Sequence, residues 1–375
     1  MEDCEKITDA GIEGLCVSVD HLGKEDKKLG QCKSIETLFI GKTKITKKGI
    51  QTALKNLPFL KLLKEGSGSY NHTVSVQLLA EMHQPDSNDK YSLNSLSLGN
   101  WKLNGDAPLP YINGSLGLVA SLCPSVRSVE IDLVEGLTDC DLLGLLSLEN
   151  INELQISGPS VDNNMLVTFK GGIVRLLKGF GSSLKVLGLS YLNDVDIPAI
   201  INLCPKLESL TLDENDSYTT VGTKEDIEPF HSKRIKTEPL VLNNLETLSV
   251  ISFNRNEDAE EKQIISFEDL VSLFSSSSLI NIEITACDNL TDYVFERAAE
   301  IHQFQNLEQL RISICHTLTR KGIDVVMNKK TPLNAIEITC CAKVQDEDIA
   351  LLLSNAKSEK WQLSFMHDDE ELDMD

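Results

Sequence analysis

One apolar frame, L-x-x-L-x-L with Ile or Val allowed at the apolar places, returns along nearly the whole chain and leaves little freedom in what it can fold into. It reads Ile35-Leu38-Ile40, Leu93-Leu96-Leu98, Val126-Val129-Ile131, Ile151-Leu154-Ile156 and Leu184-Leu187-Leu189. It continues at Leu207-Leu210-Leu212, Leu245-Leu248-Val250, Leu279-Ile282-Ile284, Leu307-Leu310-Ile312 and Leu333-Ile336-Ile338, with a degenerate copy at Leu60-Leu63. The shortest units lie near ~25 residues, and the longer ones carry insertions of the kind stacked repeats tolerate.

The central L-x-L puts two apolar side chains on one side of a strand and the residue between them on the other, because the strand period is two. Stacked copies make a parallel sheet with one buried and one exposed face. The return segment reads as a helix: Lys48–Leu57 sets Ile50, Ala53, Leu54 and Leu57 at helical spacing, and Ile323, Val326 and Met327 repeat the pattern. Ahead of the helices stand Ile7-Thr8-Asp9-Ala10-Gly11-Ile12, Ile45-Thr46-Lys47-Lys48-Gly49-Ile50, Leu137-Thr138-Asp139, Leu290-Thr291-Asp292 and Leu318-Thr319-Arg320-Lys321-Gly322-Ile323, where Thr or Asp can cap the helix. Cys123-Pro124-Ser125-Val126, Cys204-Pro205-Lys206-Leu207 and Leu57-Pro58-Phe59-Leu60 precede the next strands, and proline there stops the helix. A cysteine three residues beyond the last apolar strand position recurs at Cys287, Cys315 and Cys341.

Together these residues resemble the cysteine-containing leucine-rich repeat of F-box/leucine-rich-repeat proteins, from Cys4 to about Phe365. The resemblance implies an α/β leucine-rich-repeat solenoid, a ribonuclease-inhibitor-like horseshoe of about eleven strand-helix repeats. It also implies substrate recognition for an SCF-type cullin ubiquitin ligase, with a Skp-type adaptor and a cullin as partners. The chain opens on a turn and helix whose strand would lie before Met1, and no F-box precedes the repeats; an N-terminally truncated chain is the expectation. The alternatives are a ubiquitin-independent protein-interaction scaffold and a small-GTPase activator, whose repeats carry Asn rather than Cys after the strand, as only Asn215 does here.

Charge narrows the partner class. With 57 acidic and 35 basic residues the formal charge is −22, a field that repels phosphate backbones and anionic lipid, so neither nucleic acid nor a membrane is expected. Met1–Asp20 is acidic and has no continuous apolar stretch of the kind an export signal needs, so a cytoplasmic or nuclear location is expected. The ten cysteines then read as buried thiols rather than disulfides, and the absence of any CxxC pair argues against structural zinc. No nucleotide-binding, nucleophile-elbow or H-E-x-x-H sequence occurs, and the seven histidines are scattered, mainly over expected loops and helix surfaces; neither an enzyme nor a cofactor is expected.

The repeat domain spans residues 1–366, with insertions at about 213–239 and 254–262, and 367–375 is an acidic run whose self-repulsion predicts disorder. The first insertion carries a basic island, His231-Ser-Lys-Arg-Ile-Lys-Thr-Glu-Pro239. There Lys236 fits the apolar-Lys-x-Glu pattern for sumoylation and Lys233, Arg234 and Lys236 have the composition of a nuclear signal; a plain solvated loop is the alternative. Trp361-Gln-Leu363-Ser-Phe365 reads as a closing strand. The exposed face, read from residues flanking each central leucine, contains Phe39, Ser97, Glu130, Asp132, Glu153, Gln155, Tyr191, Asp213, Glu283, Arg311 and Glu337. It is mainly acidic, and a basic partner segment across Glu130, Asp132, Glu153 and Glu283 is the functional expectation; ordinary solvated strand positions are the alternative.

Overall fold

In the computed structural model the described residues are 4, 6–16, 34–64, 74–84, 90–99, 110–159, 166–219, 241–252, 264–327, 331–359 and 362–366. Lys236, the basic island, the 254–262 insertion and the 367–375 tail lie outside them. The chain divides into two compact units, Met1–Ser183 and Leu184–Asp375.

Unit 1 alternates helix and strand: α1 (Asp9–Cys16), β1 (Thr37–Phe39), α2 (Lys47–Asn56), β2 (Leu62–Lys64), α3 (Val76–Met82), β3 (Ser95–Leu98), α4 (Ser115–Leu122), β4 (Ser128–Asp132), α5 (Asp139–Leu142), β5 (Glu153–Ser157) and α6 (Val174–Phe180). β1 and β2 pair in parallel, as do β3, β4 and β5, with Leu96, Val129 and Leu154 in one row. Two of its return segments are not plain α-helix. Leu143–Ser147 is 3₁₀, and Phe169–Ile173, which contains Gly171-Gly172, is a π turn leading into α6.

Unit 2 runs β6 (Val186–Ser190), α7 (Ile197–Leu203), β7 (Ser209–Asp213), β8 (Thr247–Ile251), α8 (Phe267–Phe274), β9 (Asn281–Thr285), α9 (Asp292–His302), β10 (Gln309–Ser313), α10 (Arg320–Val326), β11 (Ala335–Thr339), α11 (Asp346–Glu359) and β12 (Gln362–Met366). Among its described residues seven strands pair in parallel in chain order, with Leu187, Leu210, Leu248, Ile282, Leu310, Ile336 and Leu363 in one row. This is a mixed α/β repeat. From β4 to β10 the five-residue strands bury the second and fourth residues, and those leucines, isoleucines and valines are essentially fully covered. Among the described residues no helix is long and apolar enough to cross a membrane.

Five strands of unit 2, β6, β7, β9, β10 and β11, end by a common device. Tyr191, Glu214, Ala286, Ile314 and Cys340, each just beyond a strand, adopt the left-handed conformation, which is costly for a branched residue such as Ile314. The turn is held because the amide of that residue donates to the neighbouring strand's last carbonyl: Tyr191 to Asp213, Ala286 to Thr285's neighbour Ser313, Ile314 to Thr339. The next residue then points inward, which is why Cys287, Cys315 and Cys341 are buried. The thiols of Cys315 and Cys341 donate back to Ser313 and Thr339 carbonyls, each at 3.4 Å. At Asn215 the same place is filled by an amide that accepts from Leu192 N–H and donates to the Leu189 carbonyl, both at 3.0 Å.

The Thr-Asp and Gly-Ile signals belong to one network. Thr46 and Thr319 cap α2 and α10, and Thr168 caps the Phe169–Ile173 turn. Each of these threonines is held in turn by an aspartate from the preceding repeat. Asp9 accepts from Thr46 N–H (2.7 Å) and hydroxyl (2.6 Å), Asp139 from Thr168 (2.7 and 3.0 Å) and Asp292 from Thr319 (3.0 and 2.7 Å). The glycine three residues after the threonine makes room for that carboxylate. A Cβ at Gly49, Gly171 or Gly322 would lie 2.3, 2.0 or 2.7 Å from an Asp9, Asp139 or Asp292 oxygen. The Cys-Pro signals also have a place, since Leu57, Cys123 and Cys204 are the C-caps of α2, α4 and α7.

Candidate functional site

The exposed strand faces of the two units collect most of the candidate residues. In unit 1, Glu130 of β4 sits in register with Gln155 of β5 and with Ser97 of β3, which is buried rather than exposed as expected, while Glu153 faces Ser128 and Asp132 faces Ser157. Gln155 donates to Glu153 at 3.4 Å. The Asp132 carboxylate leans over Gly99, where a Cβ would meet it at 2.5 Å, so β3 and β4 crowd it against backbone. Four named positions, Glu130, Asp132, Glu153 and Gln155, are thus brought together on two adjacent strands. Phe39, on β1, is an exposed aromatic, 39% accessible.

In unit 2 the middle row runs Gly188, Thr211, Ser249, Glu283, Arg311, Glu337, Ser364. Its first three members are small and uncharged, and the next three alternate acid, base, acid. Arg311 Nε lies 3.4 Å from Glu337, and both side chains remain about half exposed, at 55% and 46%. Such a pair in water contributes little to stability. Asp213 is the last residue of β7 and lies two places along its strand from that row. Tyr191 is placed differently from the strand position expected of it: it follows β6 in the left-handed turn, where its amide serves the sheet.

The histidine reading needs one correction. His302, at the end of α9, is buried rather than on a helix surface. Its Nδ1 accepts from Phe304 N–H at 3.1 Å, so Nε2 carries the proton and donates to the Phe274 carbonyl at 2.7 Å. Burial holds its pKa below the ordinary imidazole value, and its ring stacks edge-on against Phe304 at 4.8 Å. It ties α9 to the end of α8. The buried cysteines are equally structural: burial pushes the Cys123 and Cys204 thiols up to about 12 and Cys287 to about 11, far from thiolate. Among the described residues no group of three or more His, Cys, Asp or Glu is placed to hold a metal ion.

Sequence patterning did not mark Asp141 and Asp269, the third residues of α5 and α8. Asp141 accepts from Thr138 N–H (3.1 Å), the Thr138 hydroxyl (2.6 Å) and Gly114 N–H (2.9 Å). Asp269 is 8% accessible, accepts from the Ser266 hydroxyl at 2.7 Å and is pushed up to about 6, by burial first and by the nearby Glu268 and Asp196 charges.

No family model and no curated protein matches the sequence. Among solved structures the chain is similar to one in the crystal structure of the Rad7 and Elc1 complex in yeast, with 16% identity and a TM-score of 0.44 over 93% of this chain and 77% of that one.

Proposed function

We propose that this chain is a protein-binding leucine-rich-repeat module, a horseshoe-type solenoid that serves as the substrate-recognition part of an SCF-type cullin ubiquitin ligase. It acts by binding, and the chemistry resides in its partners. The observation that carries the reading is the in-register exposed row on stacked parallel strands. Each repeat adds one outward side chain about 4.8 Å from the next, a surface suited to reading a partner along its length. The charges on that surface favour a segment with basic groups, drawn in by long-range attraction that salt screens. Assignment to ubiquitin ligation rests on the cysteine-bearing repeats and their resemblance to F-box/leucine-rich-repeat proteins.

Affinity purification of the full chain with mass spectrometry tests both parts. Recovery of a Skp-type adaptor and a cullin is expected; a stoichiometric protein partner without either leaves the scaffold reading in its place. Charge reversal at Glu130, Asp132, Glu153 and Glu283 should release the partner. If binding survives all four reversals, recognition does not use the strand face.

A further inference from the structure

Resting on the protein-binding reading, the charge row of unit 2 specifies the shape of what lies on it. We infer that the exposed face of β9, β10 and β11 takes an α-helical segment of a protein partner that presents basic, acidic and basic side chains at positions i, i+3 or i+4, and i+7.

The argument is one of spacing. Glu283, Arg311 and Glu337 are register partners on three adjacent strands, so the three side chains rise from points about 4.8 Å apart and the two glutamates from points about 10 Å apart. A helix crossing these strands offers side chains one turn apart at about 5–6 Å and two turns apart at about 10.5 Å, which matches both intervals. An extended segment offers same-face side chains only every ~6.7 Å, so its second group falls beyond Arg311 and its third overshoots Glu337. The complementary signs to acid, base, acid are base, acid, base. Existing contacts do not prevent this, because the Arg311 and Glu337 side chains are half exposed and their 3.4 Å pairing is readily exchanged for a partner's carboxylate and ammonium. On one side Gly188, Thr211 and Ser249 and on the other Ser364 carry no charge, which confines the pattern to the three strands.

The test is a display selection of helical peptides, randomised at i, i+3, i+4 and i+7 on a fixed alanine-rich frame, against the full wild-type chain and against Arg311→Glu. Wild type should enrich Lys or Arg at i and i+7 with Asp or Glu between them. Arg311→Glu should lose the central acid, and a peptide selected on wild type should bind it about tenfold more weakly at low salt. Glu283→Lys should lose the basic preference at one end only. All three positions are exposed or half exposed, and circular dichroism confirms that the variants are folded. A selection without a charge pattern, or the same pattern from wild type and Arg311→Glu, overturns the assignment. The affinity purification tests the protein-binding reading separately: a purified partner that holds wild type and Arg311→Glu equally well overturns the helix assignment and leaves that reading standing.

Discussion

The first turns of α5 in unit 1 and α8 in unit 2 are built from the same local sequence device and end with opposite electrostatics. Thr138 and Ser266 are N-caps, and the residue three places on is an aspartate in both, Asp141 and Asp269. Burial raises the pKa of each. At Asp141 that effect is overcome by the Thr138 hydroxyl and the amides of Gly114 and Thr138, and its pKa falls below the ordinary carboxylate value. At Asp269 the Ser266 hydroxyl is too little against deeper burial and the Asp196 and Glu268 charges, and the carboxyl is pushed up to about 6. The lesson is that the adjoining repeat, through donors such as Gly114 N–H, decides whether a helix-start carboxylate is stabilising.

If donors from the adjoining repeat decide the outcome, the carboxylate most dependent on them should cost most to remove. Asp292 accepts from the Thr319 amide and hydroxyl and from Gly322 N–H at 3.1 Å, all in the next repeat. Asp292→Ala strands two partly buried amides and should lower stability in urea by about 3 kcal/mol. A loss under a third of that would mean water replaces the carboxylate and the capping chain does not hold the repeats together.

Asp269 should behave in the opposite sense. Its folded pKa lies above the unfolded value, so the folded state holds the proton more tightly, and stability falls as pH rises from about 4 to about 6 and then levels. Asp269→Asn keeps the Ser266 contact without the charge. It should raise stability at pH 7.5 by about 2 kcal/mol and remove that slope. Destabilisation at pH 7.5 would show that the ionised carboxylate is well accommodated. Asp141→Asn should cost about 1 kcal/mol at neutral pH, as loss of a cap does. Its pKa is depressed, so the wild-type advantage over the variant should disappear as pH falls below about 4, the mirror image of Asp269.

These contrasts separate what the chain carries locally from what only stacking supplies. Strand positions were legible because an apolar residue at every second place is itself the instruction to bury one face, and even the degenerate Leu60-Leu63 copy forms β2. Helix stops at Cys123-Pro124 and Cys204-Pro205 were legible because proline acts locally. The reach of Asp9 to Thr46, Asp139 to Thr168 and Asp292 to Thr319 was not, because the partners are brought together by stacking and lie 27 to 37 residues apart. The glycines that admit those carboxylates resemble ordinary turn glycines until the neighbour is in place. The burial of His302 is not legible for the same reason: only packing against Phe274 and Phe304 shows that its helix end is covered. Of the candidate face, alternation places Glu130, Gln155, Glu283, Arg311 and Glu337 within strands, while Tyr191 lies just past β6, in the left-handed turn that ends it and that counting by twos does not foresee.

The smallest effect on stability falls at the centre of the charged row. Arg311 joins the strand face but caps nothing, and its pair with Glu337 is half in water, so Arg311→Ala should change unfolding free energy by less than about 0.5 kcal/mol. A buried carboxylate owes its energy to donors the fold supplies, whereas an exposed charge in a row owes the fold almost nothing and can serve a partner instead. Urea unfolding of Arg311→Ala beside Asp292→Ala puts the two kinds on one scale. A loss at Arg311 approaching that at Asp292 would make the acid-base-acid row part of the scaffold, and its charges would then be committed to β9, β10 and β11 rather than offered outward.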